Sequence, residues 1–252
     1  YHLYNNAFQP GSEMDARLQS IIDPDARMTI KTKNAEGKEI KESRIAKLKP
    51  NEIGYLKISN FKQDGIVAVT KEVGTILEVN LPQPILPGKS TVLTLDFDGQ
   101  VPVQIRRSGR NNAEGVEFSM SQWYPKMCNY DYQGWHANPY VGREFYGIWG
   151  DFDVKITLPK GYIIGATGIL QNTAQIGYGY DKQEPVNRAD KQTWHFKAEN
   201  VHDFVWAADP DYKQIVHKMA DGNTIRCFFQ PGEKTSENWE KLPIVMEEVF
   251  NF

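Results

Sequence analysis

The chain has 252 residues, of which 40% are hydrophobic, 12% aromatic and 24% charged, with a formal net charge of −3. That balance excludes bulk disorder, supplies a core for one large or two modest domains, and offers no global basic field for nucleic acid or an anionic membrane. No apolar run approaches the roughly 20 residues of a membrane helix, so neither a nucleic-acid partner nor membrane insertion is expected.

In chain order, residues Met14 to Ile22 suggest a short helix ahead of Asp23-Pro24-Asp25. Residues 31–47 are rich in Lys and Glu with little periodicity and are expected to form a solvated surface loop. Apolar and polar residues then alternate in Ile76–Leu81 and Val92–Phe97, separated by the turn sequences Pro82-Gln83-Pro84 and Pro87-Gly88-Lys89. The clearest alternation is Asp151-Phe152-Asp153-Val154-Lys155-Ile156-Thr157-Leu158, a half-buried antiparallel strand. Trp194–Ala198 and Phe204–Trp206 read as further strands. Residues 213–217 and 224–229 flank Ala220-Asp221-Gly222-Asn223, a hairpin with an Asp-Gly turn signal. Behind it, Trp239, Leu242, Met246, Val249 and Phe250 follow steps of three and four, a helix over about 236–252 with Thr235 or Ser236 as cap. Pro243 either kinks this helix or lies in its first turn. The class is mainly β, with the hairpin and helix opening a second domain.

Catalytic signatures are absent from this stretch. His-Glu-x-x-His would place two imidazoles and an activating carboxylate on one helix face, but His2, His136, His195, His202 and His217 are scattered and none precedes a Glu. His195 and His202 are read as structural hydrogen-bonding groups. There is no Gly-x-Ser-x-Gly, and Gly161 to Gly168 lacks dinucleotide spacing, so it reads as a strand with close backbone packing. Cys128 and Cys227 are read as buried thiols ahead of a disulfide. Arg106, Arg107 and Arg110 lie in a Gly/Asn-rich stretch, as a solvated turn or an acidic-ligand site. Residues 123–149 hold nine aromatics (Trp123, Tyr124, Tyr130, Tyr132, Trp135, Tyr140, Phe145, Tyr146 and Trp149). Such a segment either stacks on sugars or peptide side chains or forms the core of a large irregular connection.

Several short runs here fall in a specific order: Gln122-Trp123-Tyr124-Pro125-Lys126, Tyr130-Asp131, Gly134-Trp135-His136, Pro139-Tyr140, Arg143-Glu144-Phe145-Tyr146, and Gly150 through Pro159. With Ala166-Thr167-Gly168, Thr193-Trp194-His195-Phe196, the run from Asn200 to Asp209, and His2 to Phe8, they span nearly the whole chain. This order resembles the amino-terminal β domain of bacterial aminopeptidase N-type zinc metallopeptidases.

The resemblance implies a saddle-like antiparallel β-sandwich over 1–208, its first strands lying upstream of Tyr1. Residues 209–252 would open a thermolysin-like catalytic domain, ending before the exopeptidase loop and the zinc site. The chain would then be the non-catalytic amino-terminal portion of a zinc aminopeptidase. No metal is expected here, and zinc belongs to the catalytic domain, which is the partner together with the peptide substrate. Gln122 stands where family members lend a residue to the substrate's amino terminus, and Tyr124 stands where an acidic or amide partner falls. Export to the periplasm or cell envelope follows by analogy alone. Two other readings stay open: a stand-alone β-sandwich module for carbohydrate or peptide, and the scaffold of a zinc-less relative.

Overall fold

The computed structural model describes residues 1–20, 27–142, 147–177, 180, 190–232 and 235–251. They are mainly β, in antiparallel sheets with a helix at the carboxyl end. The chain separates into two compact units, one of residues 1–114 and 119–149, the other of 115–118 and 150–252. The hairpin and helix near the carboxyl end therefore share a unit with residues 150–209.

In the first unit a short helix α1 (Glu13–Gln19) is capped by Ser12, whose hydroxyl accepts from Asp15 N at 3.1 Å. The helix stops at Gln19, and Ile21–Asp25 of the expected stretch lie outside the described residues. Strands β1 (Thr29–Lys33) and β2 (Glu39–Ser43) follow, paired Thr29↔Ser43 through Lys33↔Glu39, with a single 3₁₀ turn at Ile45–Lys47. The expected solvated loop over 31–47 is thus a hairpin. Neither strand buries a full face, so hydrophobic periodicity does not mark them.

β3 (Tyr55–Gln63), β4 (Ile66–Val67), β5 (Val69–Val73), β6 (Ile76–Asn80) and β7 (Leu93–Gln100) come next. They form a β4-β3-β7 sheet and a β5-β6 ribbon. β6 and β7 realise two of the predicted strands, and the prolines between them lie in irregular backbone. Two short strands, β8 (Gly109–Arg110) and β9 (Phe118–Met120), precede a small ribbon of β10 (Tyr130–Asp131) and β11 (Gly134–Trp135). One core cluster gathers Tyr4, Phe8, Met14, Leu18, Ile45 and Tyr140, another Leu3, Leu56, Phe61 and Leu77.

The second unit is organised by β12 (Gly150–Pro159), which runs antiparallel to β15 (Lys191–Val201), with Ile156↔Trp194 and Val154↔Phe196 in register. Trp194, Phe196 and Ala198 are buried while Thr193, Lys197 and Glu199 are not, the one-sided burial predicted from the alternation. Between them lie β13 (Ile163–Ala166), β14 (Ile169–Leu170), which also pairs with β15, and one helical turn α2 (Thr173–Ile176). The close packing expected over Gly161 to Gly168 holds at Gly165 and Gly168 but not at Gly161, which has open space around it. The stretch forms β13 and the turn into β14 rather than one strand. A Cβ on Gly168 would lie 2.2 Å from the Lys197 carbonyl oxygen, and one on Gly165 2.7 Å from the Phe228 ring.

β16 (Trp206–Asp209) pairs with β13 and begins later than the expected Phe204–Trp206. Asp203 Oδ1 takes the Phe204 amide at 2.8 Å in a local turn. The fully buried Phe204 ring packs near Phe152 and Phe196.

β17 (Lys213–Lys218) and β18 (Thr224–Phe229) form the predicted hairpin, and α3 (Ser236–Phe250) packs on it. Leu242 and Met246 meet Ile215, Met219, Ile225 and Cys227, and Trp239 stacks on Phe229 at 5.3 Å. Pro243 lies in the helix interior, past the first turn, where it cannot donate to the Trp239 carbonyl. Val249 and Phe250 continue the predicted stripe but stay exposed, since the hairpin's apolar face ends with the residues just named. Ser236 Oγ donates to the Gly232 carbonyl at 2.9 Å, and Thr235 occupies the N-cap position without a side-chain cap bond, so neither expected cap closes the helix start.

Candidate functional site

The stretch from Gln122 to Lys126 is anchored at one end by backbone pairing. His2 N donates to the Lys126 carbonyl at 2.7 Å and Lys126 N to that of His2 at 3.1 Å. Pro125 and Lys126 are buried, and His2 is so enclosed that burial lowers its imidazole pKa to about 4, leaving it neutral at pH 7. Toward the other end Gln122 adopts φ +60°, a left-handed backbone that a side chain of this size rarely takes. Gln122 and Tyr124 are both half-buried in the first unit. The Tyr124 ring meets Trp123 edge-on at 5.3 Å, and Trp123 lies 6.5 Å from Phe97.

The aromatic segment divides in use. Tyr140 is core, with its ring 4.4 Å from that of Tyr4 and its amide donating to Thr75 Oγ1 at 2.9 Å. By contrast Tyr130, Tyr132, Trp135 and Trp149 are exposed. Phe145 and Tyr146, with Arg143 and Glu144, lie outside the described residues. Core packing thus accounts for Tyr140, while the rings of the β10–β11 ribbon and Trp149 lie outside that core.

Two concavities were not legible in the sequence because their walls come from distant segments. In the first unit an apolar cavity of about 330 Å³ is lined by residues that include Ile76, Leu77, Val79, Leu93, Cys128 and Trp135. In the second a polar groove of about 820 Å³ is lined by Lys155, Asn172, Gln175, Lys191, Thr193 and His195, among others. His195 Nε2 lies 2.7 Å from Asp153 Oδ1, the structural hydrogen bond expected of it. This bond is the first cause holding the Asp153 carboxyl below its usual range.

The Arg-rich stretch folds against its own unit. Arg110 exchanges backbone bonds with Pro102 and Gln104, and its guanidinium donates to the Asn51 carbonyl at 2.6 Å. A Cβ on Gly109 would stand 2.4 Å from Gln104 Cα, so only glycine fits that approach. Arg110 thus ties this turn to the segment around Asn51. Cys128 and Cys227 are free and buried.

Zinc needs three or more convergent ligands. His136, His195 and His217 each face one carboxylate, Asp131 at 2.8 Å, Asp153 at 2.7 Å and Glu247 at 2.6 Å. Among the described residues no group of three His, Cys, Asp or Glu could hold a metal ion, so these side chains do not fit a zinc centre.

No family model and no curated protein matches this chain. Among solved structures, a two-domain M1 zinc metallopeptidase, solved as a point mutant bound to L-arginine, aligns with 16% identity and a TM-score of 0.43. The alignment covers 70% of this chain and 38% of the length of that one.

Proposed function

We propose that this chain is the non-catalytic amino-terminal portion of a zinc-dependent aminopeptidase, supporting a catalytic domain and forming part of its peptide-binding pocket. The ordered run of motifs from Gln122 to Pro159 carries this reading. Two structural features support it. Gln122 holds a strained backbone on an anchored segment, the kind of outlier that clusters at ligand sites. Helix α3 leaves Ile244, Val245, Val249 and Phe250 exposed, an apolar surface suited to further protein.

In this reading a metal held by the catalytic domain would supply an activated water for hydrolysis of the peptide bond, and none of the described residues would ligate it. The residues here contribute substrate positioning: the Gln122 amide has both a donor and an acceptor for a peptide terminus, and Tyr124 forms the adjoining wall.

The test compares this chain with a version extended downstream in its native reading frame. Zinc analysis and hydrolysis of chromogenic amino-acid amides should be positive for the longer protein alone. Amidase activity in the 252-residue chain overturns the proposal. In the longer protein, Gln122→Ala should lower kcat/KM about tenfold or more with zinc content and Tm unchanged. Unaltered kinetics would assign Gln122 to structure.

A further inference from the structure

The β10–β11 ribbon presents large aromatic side chains that lie mostly outside the core of the first unit. Tyr132 at its tip is 93% exposed, Tyr130 63% and Trp135 61%, while Tyr140 a few residues on is only 1% exposed. Tyr130 and Trp135 pair with each other across the ribbon, and Trp135 also borders the apolar cavity of this unit, yet most of all three rings stays in water.

The ribbon is nevertheless well braced. Tyr130 and Trp135 are direct cross-strand partners with ring centroids 4.9 Å apart and planes at 57°. Asp131 Oδ1 accepts the Gln133 amide at 2.8 Å, and Gly134 takes φ +99° to close the turn. The Asp131 carboxylate lies 2.8 Å from His136 Nε2, and the His136 amide donates to the Asn129 carbonyl at 2.9 Å. Rings held in this way bind with little loss of side-chain freedom.

The charge around the rings selects the ligand. Between Asn129 and Asn138 there is no Lys or Arg, and the acidic and imidazole groups face each other. Nucleobases also stack on such rings, but their phosphates need a cationic groove. An anionic membrane surface needs basic residues as well. The remaining polar groups are neutral amides, of which Gln133 and Asn138 are exposed. A pyranose fits this mixture, since its ring faces carry C–H groups and its rim carries hydroxyls.

From this we infer that the β10–β11 ribbon binds neutral oligosaccharides, with Tyr130, Tyr132 and Trp135 stacking on sugar rings and Gln133 and Asn138 meeting hydroxyls. The inference does not depend on the peptidase reading.

Isothermal titration of the intact chain with cellohexaose, laminarihexaose and mannohexaose tests it. At least one should bind with a Kd of about 1 mM or tighter. Tyr132→Ala should weaken binding about threefold or more, and Trp135→Ala about fivefold or more. Trp149→Phe, which alters an exposed aromatic outside the ribbon, should leave binding as it was. Because Tyr132 is almost wholly in solvent, its variant keeps the test decisive even if Trp135→Ala folds poorly. The proposal is overturned if none of the three sugars gives a binding heat, or if Tyr132→Ala binds as tightly as the parent. Binding of a blocked neutral peptide such as acetyl-Gly-Phe-Leu-amide that Tyr132→Ala abolishes, with no sugar binding, also overturns it and makes the ribbon a peptide-docking site.

Discussion

Two hairpins close on the same turn and are supported in opposite ways. In β1–β2, Asn34 N donates to the Lys38 carbonyl at 3.0 Å, Gly37 N to that of Asn34 at 2.9 Å, and Gly37 has φ +78°. In β17–β18 the corresponding bonds are Met219 N to Asn223 at 2.9 Å and Gly222 N to Met219 at 3.1 Å, with Gly222 at φ +92°. Ala-Glu-Gly and Ala-Asp-Gly thus make equivalent three-residue loops with a left-handed glycine. The first ribbon is covered on neither side along most of its length and carries exposed ion pairs, Lys31 to Glu39 at 2.8 Å among them. Beneath the second lies a cluster of Met219, Ile225 and Cys227, closed by α3. A turn sets where a chain reverses, but the buried face decides how much stability rests on the reversal.

That contrast is broken most severely by removing buried volume. Ile225→Ala should destabilise the second unit by about 2–4 kcal/mol, because it empties space between β18 and α3. Ile40→Ala, at the half-exposed matching layer of β2, should cost about 0.5 kcal/mol or less. Thermal or urea unfolding of the two variants measures the difference, and equal losses would mean that the β1–β2 ribbon has a hidden core role.

Alanine at the two turn glycines probes the same contrast more gently. Neither position has any atom within 4 Å of an added Cβ, so the cost is the left-handed backbone alone, about 1 kcal/mol. In Gly222→Ala the strain should lower the unfolding midpoint of the second unit. In Gly37→Ala it should appear as faster amide exchange in β1 and β2 with the midpoint unmoved.

What could be read from the sequence follows the same division. The second hairpin was legible because Ile225, Cys227 and Phe229 alternate with outward residues and Asp-Gly stands between the strands. β12 and β15 were legible through the one-sided burial of Ile156, Trp194 and Phe196. The first hairpin was masked because Lys31, Lys33, Glu39 and Lys41 fill its outward positions and give no period. Tyr140 and Trp135 look alike as letters, and only packing makes one core and the other surface. The strained backbone of Gln122 had no local signal, since a glutamine before tryptophan does not ask for positive φ. The cavity and the groove depend on pairings between segments far apart in the chain.

A smaller effect follows from the electrostatic clasp on the second hairpin. Glu247 on α3 accepts from the Ala220 amide at 2.7 Å and faces His217 Nε2 at 2.6 Å. The His217 bond, then that of Ala220, hold the Glu247 carboxyl below its ordinary value. The unfolded state therefore binds this proton first, so the clasp is fully present above the ordinary carboxylate range and is lost as pH falls through the lowered value. Exchange of the Ala220 amide should accelerate as pH drops below about 4.5, once the intrinsic pH dependence of exchange is removed. Glu247→Gln keeps an acceptor for that amide and should erase the acid step. Persistence of the step in this variant would assign it to another group.

The smallest effect belongs to the exposed ion pair of the first hairpin. The Lys31 ammonium holds the Glu39 carboxyl below its usual range, yet both side chains remain mostly in water. Attraction between such groups is offset by the ordering of two long side chains and screened by salt. Across the ribbon Lys31 also stands directly opposite Lys41, a like-charge pairing that opposes the gain. Glu39→Gln is therefore expected to leave the unfolding midpoint unchanged in both 50 mM and 1 M salt. A salt-dependent loss would show that the pair, rather than the Asn34–Lys38 turn, holds β1 against β2.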